Sequence, residues 1–114
     1  MMSESQVILR KWSGRIRTAD EEAYAAYIVK TGLKDYSETP GNLGCQMLMR
    51  TLGDGVSEIT TLSWWRHMDA IRAFAGPQPE RAVYYPEDDR FLLDRLEFVE
   101  HHRVIASDVR LGEA

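Results

Sequence analysis

The chain has 114 residues, of which 44% are hydrophobic and 28% are charged, and its formal net charge is −4. These values are typical of a single soluble globular domain. The acidic balance argues against a protein that binds nucleic acid by neutralising phosphates. No apolar run approaches the ~20 residues of a membrane span, and the N-terminal sequence lacks the pattern of a signal peptide. We therefore expect one cytoplasmic domain over residues 1–114, with no membrane or nucleic-acid partner.

The first half of the chain contains signals for one strand and one helix. Residues 6–17 alternate loosely between apolar and polar side chains and predict a strand. Residues 18–21 have the form Thr-x-x-Glu of a capping box, which predicts a helix over about residues 19–31. Gly32 is expected to close that helix as a left-handed cap. Residues 34–42 are then expected to form a loop.

The second half predicts three strands and at least one more helix. The predicted strands cover residues 43–52, 56–65 and 97–105, a helix covers 68–75, and a turn with one or two short helical pieces covers 79–95. Gly-Asp-Gly at 53–55 predicts a hairpin turn. Residues 106–114 show no hydrophobic period and are expected to form a mobile tail. The order βαββαβ predicts a ferredoxin-like α+β fold, a four-stranded antiparallel sheet with helices on one face.

Apolar residues occur on both faces of the central strands. In the second strand Met47 and Met49 fall on one face, and Leu48 and Leu52 fall on the other. A sheet with one solvated face should alternate cleanly between apolar and polar residues. Because the helices can cover only one face, we expect a second copy of the chain to cover the other. The sequence thus predicts a homodimer with sheet packed on sheet.

The segment Trp65-Arg66-His67-Met68-Asp69-Ala70-Ile71, in which a strand ends in Trp and an acid and Ala open a helix, resembles the antibiotic biosynthesis monooxygenase family of dimeric α+β barrels. Residues 39–44 and the blocks 74–77 and 84–88 are similar to an uncharacterised bacterial branch of that family. The resemblance covers residues 6–105. It implies oxidation of a small aromatic or quinol-type compound by O₂ without metal, flavin or other cofactor. Trp65 matches the family's Trp on the third strand.

The resemblance leaves two other functions open. A non-catalytic protein that binds a small ligand or takes part in a stress response could use the same pocket. Haem binding or degradation is the third possibility, although haem-degrading relatives carry a His where this chain has Phe74 and Ala75, and an Asn that the first strand lacks.

The histidines and one carboxylate are the candidate catalytic groups. His101 and His102 are adjacent on the last predicted strand, so their side chains point to opposite faces. We favour His101 as the base that holds or deprotonates the substrate, because the resemblance suggests a His there; a structural role at an interface is the alternative. Glu58 lies in the middle of a strand, where it either orients His101 or pairs with Arg10, Arg50 or Arg103.

Aromatic residues are the candidate substrate-binding groups. The predicted pocket wall consists of Trp65, Trp12, Phe74, Tyr84 and Tyr85, with ordinary core packing as the alternative. Cys45 has no partner for a metal site and is expected to be a small buried residue. The acidic residues at 87–100 are expected to form a solvated surface rather than a carboxylate metal site. No metal ligands are predicted.

Overall fold

The structure is a computed structural model and describes residues 6–109. It contains four strands, β1 (Ile8–Arg17), β2 (Asn42–Gly53), β3 (Val56–Trp65) and β4 (Glu100–Arg103). The α-helices are α1 (Glu21–Ile28), α2 (Lys34–Glu38), α3 (Met68–Ala75) and α4 (Asp88–Phe91). The strands form one antiparallel sheet in the order β2-β3-β1-β4, and helices pack on one of its faces. The predicted ferredoxin-like α+β fold is therefore confirmed.

The β2–β3 hairpin closes at the predicted Asp-Gly turn. Asp54 and Gly55 have φ angles of 54° and 77°, which is the left-handed pair that a type I′ turn requires. This turn matches the right-handed twist of the strands and fixes their register, in which Met49 lies opposite Ile59.

The core lies between the helices and one face of the sheet. One cluster places Trp12 and Ile16 of β1 against Tyr24 and Ile28 of α1. A second cluster places Trp65 of β3 against Tyr36 of α2 and Ile71 of α3. We call this the helix-covered face and the other side of the sheet the open face.

The first helical region is longer than expected. Gly32 does not end it, because a π-helical turn, Val29–Leu33, continues the chain directly into α2. The predicted capping box does not form either. The Thr18 hydroxyl instead lies 2.9 Å from the Ser57 hydroxyl, and the Glu21 carboxylate accepts a hydrogen bond from the same Ser57 at 2.5 Å. Contacts with β3 thus replace the local cap.

The last strand is shorter than expected. β4 pairs only with Ile8–Lys11 of β1. Further along, the edge of β1 is occupied by another part of the chain: Leu92 bridges to Ile16, and the Leu93 amide donates to the Arg15 carbonyl. Residues 106–109 have no regular structure, and the rest of the predicted tail, residues 110–114, lies outside the described residues.

Two further predictions have an outcome here. β3 and α3 have the predicted bounds, and His67 caps α3 by accepting a hydrogen bond from the Ala70 amide at Nδ1, 3.2 Å away. Between residues 6 and 109, no helix combines the length and hydropathy that crossing a membrane would need.

Candidate functional site

A small, partly open cavity lies between the helix-covered face and the segment that connects α3 to β4. We call residues 76–99 the covering segment. The cavity has a volume of about 30 Å³, which is enough for water but not for an aromatic ring. Its wall combines five aromatic rings with one cation and one carboxylate: Trp12, Tyr24, Tyr36, Phe74 and Tyr85, with Arg10 and Asp88.

Arg10 of β1 is the cation in this wall, and its side chain is 2% exposed. Nη1 donates to the Pro79 carbonyl at 2.5 Å, and Nη2 donates to the Arg81 carbonyl at 3.0 Å. The guanidinium also lies 5.5 Å from the centre of the Phe74 ring. Nε has no hydrogen-bond partner, and no acidic residue between 6 and 109 forms an ion pair with Arg10. Burial lowers the pKa of Arg10, yet an arginine remains protonated at physiological pH.

His101 of β4 lies beside Arg10 rather than in the cavity wall. Its Nε2 is 3.2 Å from Arg10 Nη1. Burial first, and then the charge of Arg10, lower the pKa of His101 and favour the neutral ring. Because arginine can only donate, we assign Nε2 as the acceptor and the ring proton to Nδ1. His101 thus holds Arg10 in position.

His102 lies apart from the cavity. Its side chain is exposed and its Nε2 is 3.0 Å from Glu100. His101, the histidine that the sequence analysis favoured, lies on the helix-covered face beside Arg10 and does not line the cavity.

Asp88 supplies the carboxylate and is 4% exposed. One oxygen accepts from the Tyr24 hydroxyl at 2.8 Å, and the other accepts from the Tyr85 backbone amide at 2.6 Å. The Tyr85 hydroxyl in turn donates to Asp35 at 2.6 Å, which ties the covering segment to α2. Burial, together with these carboxylates, raises the pKa of Tyr24 and of Tyr85, so both phenols stay protonated and donate.

The structure brings three of the five predicted aromatic residues to the cavity: Trp12, Phe74 and Tyr85. Tyr84 supports Trp12 from outside the wall: Trp12 Nε1 donates to its hydroxyl at 3.2 Å, and that hydroxyl donates to the Leu96 carbonyl.

Trp65 is completely buried and does not line the cavity, which corrects its expected place in the pocket wall. Its ring packs against Tyr36 and Phe74, and its Nε1 donates to the Ser63 hydroxyl at 2.8 Å. Trp65 is therefore a core residue behind the wall.

Glu58 lies on the open face and does not orient His101, which corrects the catalytic one of its two expected roles. Its carboxylate accepts from Arg50 Nε at 2.7 Å, which is the other expected role, an ion pair with a neighbouring strand. Glu58 and His101 are on opposite sides of the sheet. Their β1 partners are Arg15 and Arg10, which are five positions apart, and side chains an odd number of positions apart on a strand point to opposite faces.

The sequence analysis missed Arg10, Tyr36 and Asp88 as members of the site. The signal for Arg10 was present: it occupies the same face of β1 as Ile8 and Trp12, where a charge is unexpected. Tyr36 fell in a predicted loop, and Asp88 fell in an acidic stretch expected to be solvated. In the part of the chain that the structure describes, no three His, Cys, Asp or Glu side chains are grouped so that they could hold a metal ion.

Solved structures share this fold over nearly the whole chain. A Bacillus cereus protein provisionally identified as an antibiotic biosynthesis monooxygenase has a TM-score of 0.58 at 13% identity, covering 93% of this chain and 99% of its own. A Shewanella oneidensis protein has a TM-score of 0.58 at 12% identity, covering 89% and 92%. A Nitrosomonas europaea protein with the same provisional identification as the first has a TM-score of 0.52 at 10% identity, covering 96% and 95%.

Sequence comparison finds no matching family model and no matching curated protein. The structural likeness therefore defines the class by fold. The chain has the α+β fold of antibiotic biosynthesis monooxygenase-like proteins, as the sequence resemblance implied.

Proposed function

We propose that the protein is a cofactor-independent monooxygenase-like enzyme that oxidises a small aromatic or quinol-type compound. The observation that carries the proposal is the cavity itself, in which aromatic rings surround a buried cation, Arg10. Apolar walls with a few well-placed polar groups are typical of small-molecule sites. The fold supports the proposal by analogy only, since one fold hosts many functions.

In this proposal the substrate ring lies among Trp12, Tyr36 and Phe74. The buried guanidinium of Arg10 stabilises the anion that forms when a ring hydroxyl or an activated CH₂ group loses a proton. Asp88 is the carboxylate in the same wall and accepts that proton. The substrate anion then supplies electrons to O₂, so that CH₂ becomes C=O, one oxygen atom enters the product and the other leaves as water. His101 acts as a positioning residue through Arg10.

The substrate needs more room than the cavity gives. A cavity that binds benzene measures about 150 Å³, against about 30 Å³ here. Within the covering segment, the stretch around Tyr85 is the part that would move. It lies outside the backbone pairing that joins Leu93 to β1, and the hydrogen bond between Tyr85 and Asp35 holds it against α2. Substrate entry therefore includes its displacement.

Oxygen uptake by the metal-free protein tests this function. We expect an anthrone or hydroxyaromatic compound to be consumed with one O₂ per molecule, and the Arg10→Met variant to be about 10²-fold slower. Arg103→Met is the matched control, because Arg103 is exposed on the neighbouring strand β4.

Other outcomes of that experiment point to the two alternatives. Tight ligand binding with no turnover across the panel would favour the non-catalytic ligand-binding protein. A shifted Soret band on titration with haemin would favour the haem protein.

We also propose that a second copy of the chain covers the open face, as the sequence predicts. Leu48 and Leu52 are 45% and 44% exposed on β2. Leu62 and Trp64 of β3 lie on the same open face, because they are two and four positions from Thr60, the β3 partner of Leu48. The four strands contain 36 residues, and at a rise of about 3.3 Å and a spacing of about 4.8 Å they cover about 570 Å² per chain. The total of about 1,100 Å² exceeds the roughly 1,000 Å² expected of a biological interface. The cytoplasmic location stays a prediction.

A further inference from the structure

We propose that the ligand of the cavity is a small aromatic monocarboxylate and that the unpartnered edge of the Arg10 guanidinium binds its carboxylate. The proposal names a substrate class for the oxygenase site. It rests on the proposed function, because that function identifies the cavity as the place where an aromatic ring binds. The anion-binding role itself depends only on the surroundings of Arg10.

The first argument is the count of donors on Arg10. A guanidinium has five N–H groups. Three are directed to the Pro79 and Arg81 carbonyls and to His101 Nε2. The remaining two are on Nε and Nη2. Nε is buried with no partner, and the Tyr36 hydroxyl, which is hydrogen-bonded to the guanidinium, is the neutral group that a ligand oxygen would displace. Two N–H groups on neighbouring nitrogens match the two oxygens of a carboxylate.

The second argument is the missing counter-charge. A buried charge is normally paired, but the neighbours of Arg10 are carbonyls, a neutral imidazole and the tyrosine hydroxyls of Tyr36 and Tyr85. No carboxylate between residues 6 and 109 forms an ion pair with Arg10. Asp88 accepts from Tyr24 and Tyr85, and Glu97 pairs with Arg81. Glu80 acts electrostatically on His101 but forms no ion pair with Arg10. The ligand is therefore expected to supply the anion.

The third argument limits the ligand to one negative charge. Asp88 lies in the same wall as Arg10 and is itself buried. A second carboxylate on the ligand would be repelled by Asp88 in this low-dielectric site. A ring hydroxyl, by contrast, could donate to it. The rings of Trp12, Tyr36 and Phe74 supply the apolar contact for the rest of the ligand.

Calorimetric titration of the whole wild-type protein with benzoate, its neutral isostere benzamide, and phthalate tests the proposal. We expect benzoate to bind at least about tenfold more tightly than either of the others. Arg10→Met should weaken benzoate binding by about 10- to 100-fold and leave benzamide binding nearly unchanged, whereas the exposed control Arg103→Met should behave as the wild type. Equal affinity of the wild type for benzoate and benzamide would overturn the proposal, and so would a preference for benzoate that persists in Arg10→Met.

The comparison of benzoate with benzamide on the wild-type protein remains a test even if Arg10→Met does not fold. Arg10→Lys provides a second variant, which keeps the charge but loses the paired N–H groups.

Failure of the proposed function is distinguishable from failure of the proposed anion site. Benzoate binding without oxygen uptake from any compound would support the anion site and overturn the oxygenase. Oxygen uptake from neutral anthrones that benzoate does not inhibit would support the oxygenase and overturn the anion site.

Discussion

Arg10 and His101 lie directly opposite each other on β1 and β4, with Nη1 and Nε2 3.2 Å apart. Two cations at this distance would repel strongly inside a protein. Because Arg10 stays protonated, the pair is stable only with a neutral His101 that accepts a hydrogen bond. The protonation state of His101 therefore controls how firmly the guanidinium is held under the cavity.

This pairing predicts a specific loss of stability in acid. The pKa of His101 is lowered in the folded chain, whereas an unfolded histidine has a pKa of about 6.5. The unfolded chain thus binds the proton more readily. The free energy of unfolding should be fully kept above pH ~6.5, fall as the pH drops below that value, and level off below the folded pKa. Each unit by which the pKa is lowered contributes about 1.4 kcal/mol.

Urea denaturation of His101→Asn at a series of pH values isolates this effect. Asparagine can accept from Arg10 but does not titrate, so the variant should lose less stability than the wild type below pH ~6.5. His102→Asn is the matched control, because it removes the adjacent exposed histidine and should leave the contribution of His101 in place. Parallel curves for the wild type and His101→Asn would contradict the assignment.

The two buried tryptophans of the helix-covered face should respond differently to a ligand. Trp12 lines the cavity, and Trp65 lies behind Phe74. Binding of benzoate should change the fluorescence of the wild type and of Trp65→Phe, but the change should be largely lost in Trp12→Phe. Trp65→Phe should instead lose about 1–3 kcal/mol of stability, because it leaves space in the core. A fluorescence change that is lost in Trp65→Phe and kept in Trp12→Phe would instead place Trp65 in the pocket wall.

The sequence predicted the elements that local signals determine. β3 and α3 have the expected bounds because a run of β-branched and aromatic residues begins at the Asp-Gly turn, and Gly76 and Pro77 follow the helix. Gly32 misled the prediction. A local stop signal was overridden by tertiary packing, since continuing the helical path places Tyr36 against Trp65 and Phe74.

The site was harder to predict because its polar members come from distant parts of the chain. Asp88 looks solvated among its acidic neighbours, and its burial is compensated by a hydrogen bond from Tyr24, 64 positions away, together with one from the nearby Tyr85 amide. Arg10 and His101 are 91 positions apart. Sequence periodicity placed His101 and His102 on opposite faces and the resemblance favoured His101, but no local pattern could show that His101 would contact Arg10 instead of lining the cavity.

The hydrogen bond from Tyr85 to Asp35 should control access to the cavity. It joins the covering segment to α2 at 2.6 Å, and a hydrogen bond to a charged group contributes about 1.5–3 kcal/mol. Tyr85→Phe should therefore increase amide hydrogen exchange across residues 76–99. In a double-mutant cycle with Asp35→Asn, the second change should add little to the first. Additive effects, or unchanged exchange in the covering segment, would show that other contacts keep it closed.

Replacing an apolar residue of the open face with a charge tests the proposed dimer. Leu48 is 45% exposed in the single chain and lies on β2, whose neighbour β3 adds Leu62 to the same surface. Leu48→Glu would place two like charges in a sheet-to-sheet interface, because a two-fold axis repeats every substitution. Light scattering after size-exclusion chromatography should show a dimer for the wild type and a monomer for Leu48→Glu.

Val29→Glu is the control, because Val29 is 51% exposed in the helical region between α1 and α2. The Val29→Glu variant should remain dimeric. A wild-type monomer at micromolar concentration would contradict the proposal, and so would a Leu48→Glu variant that stays dimeric.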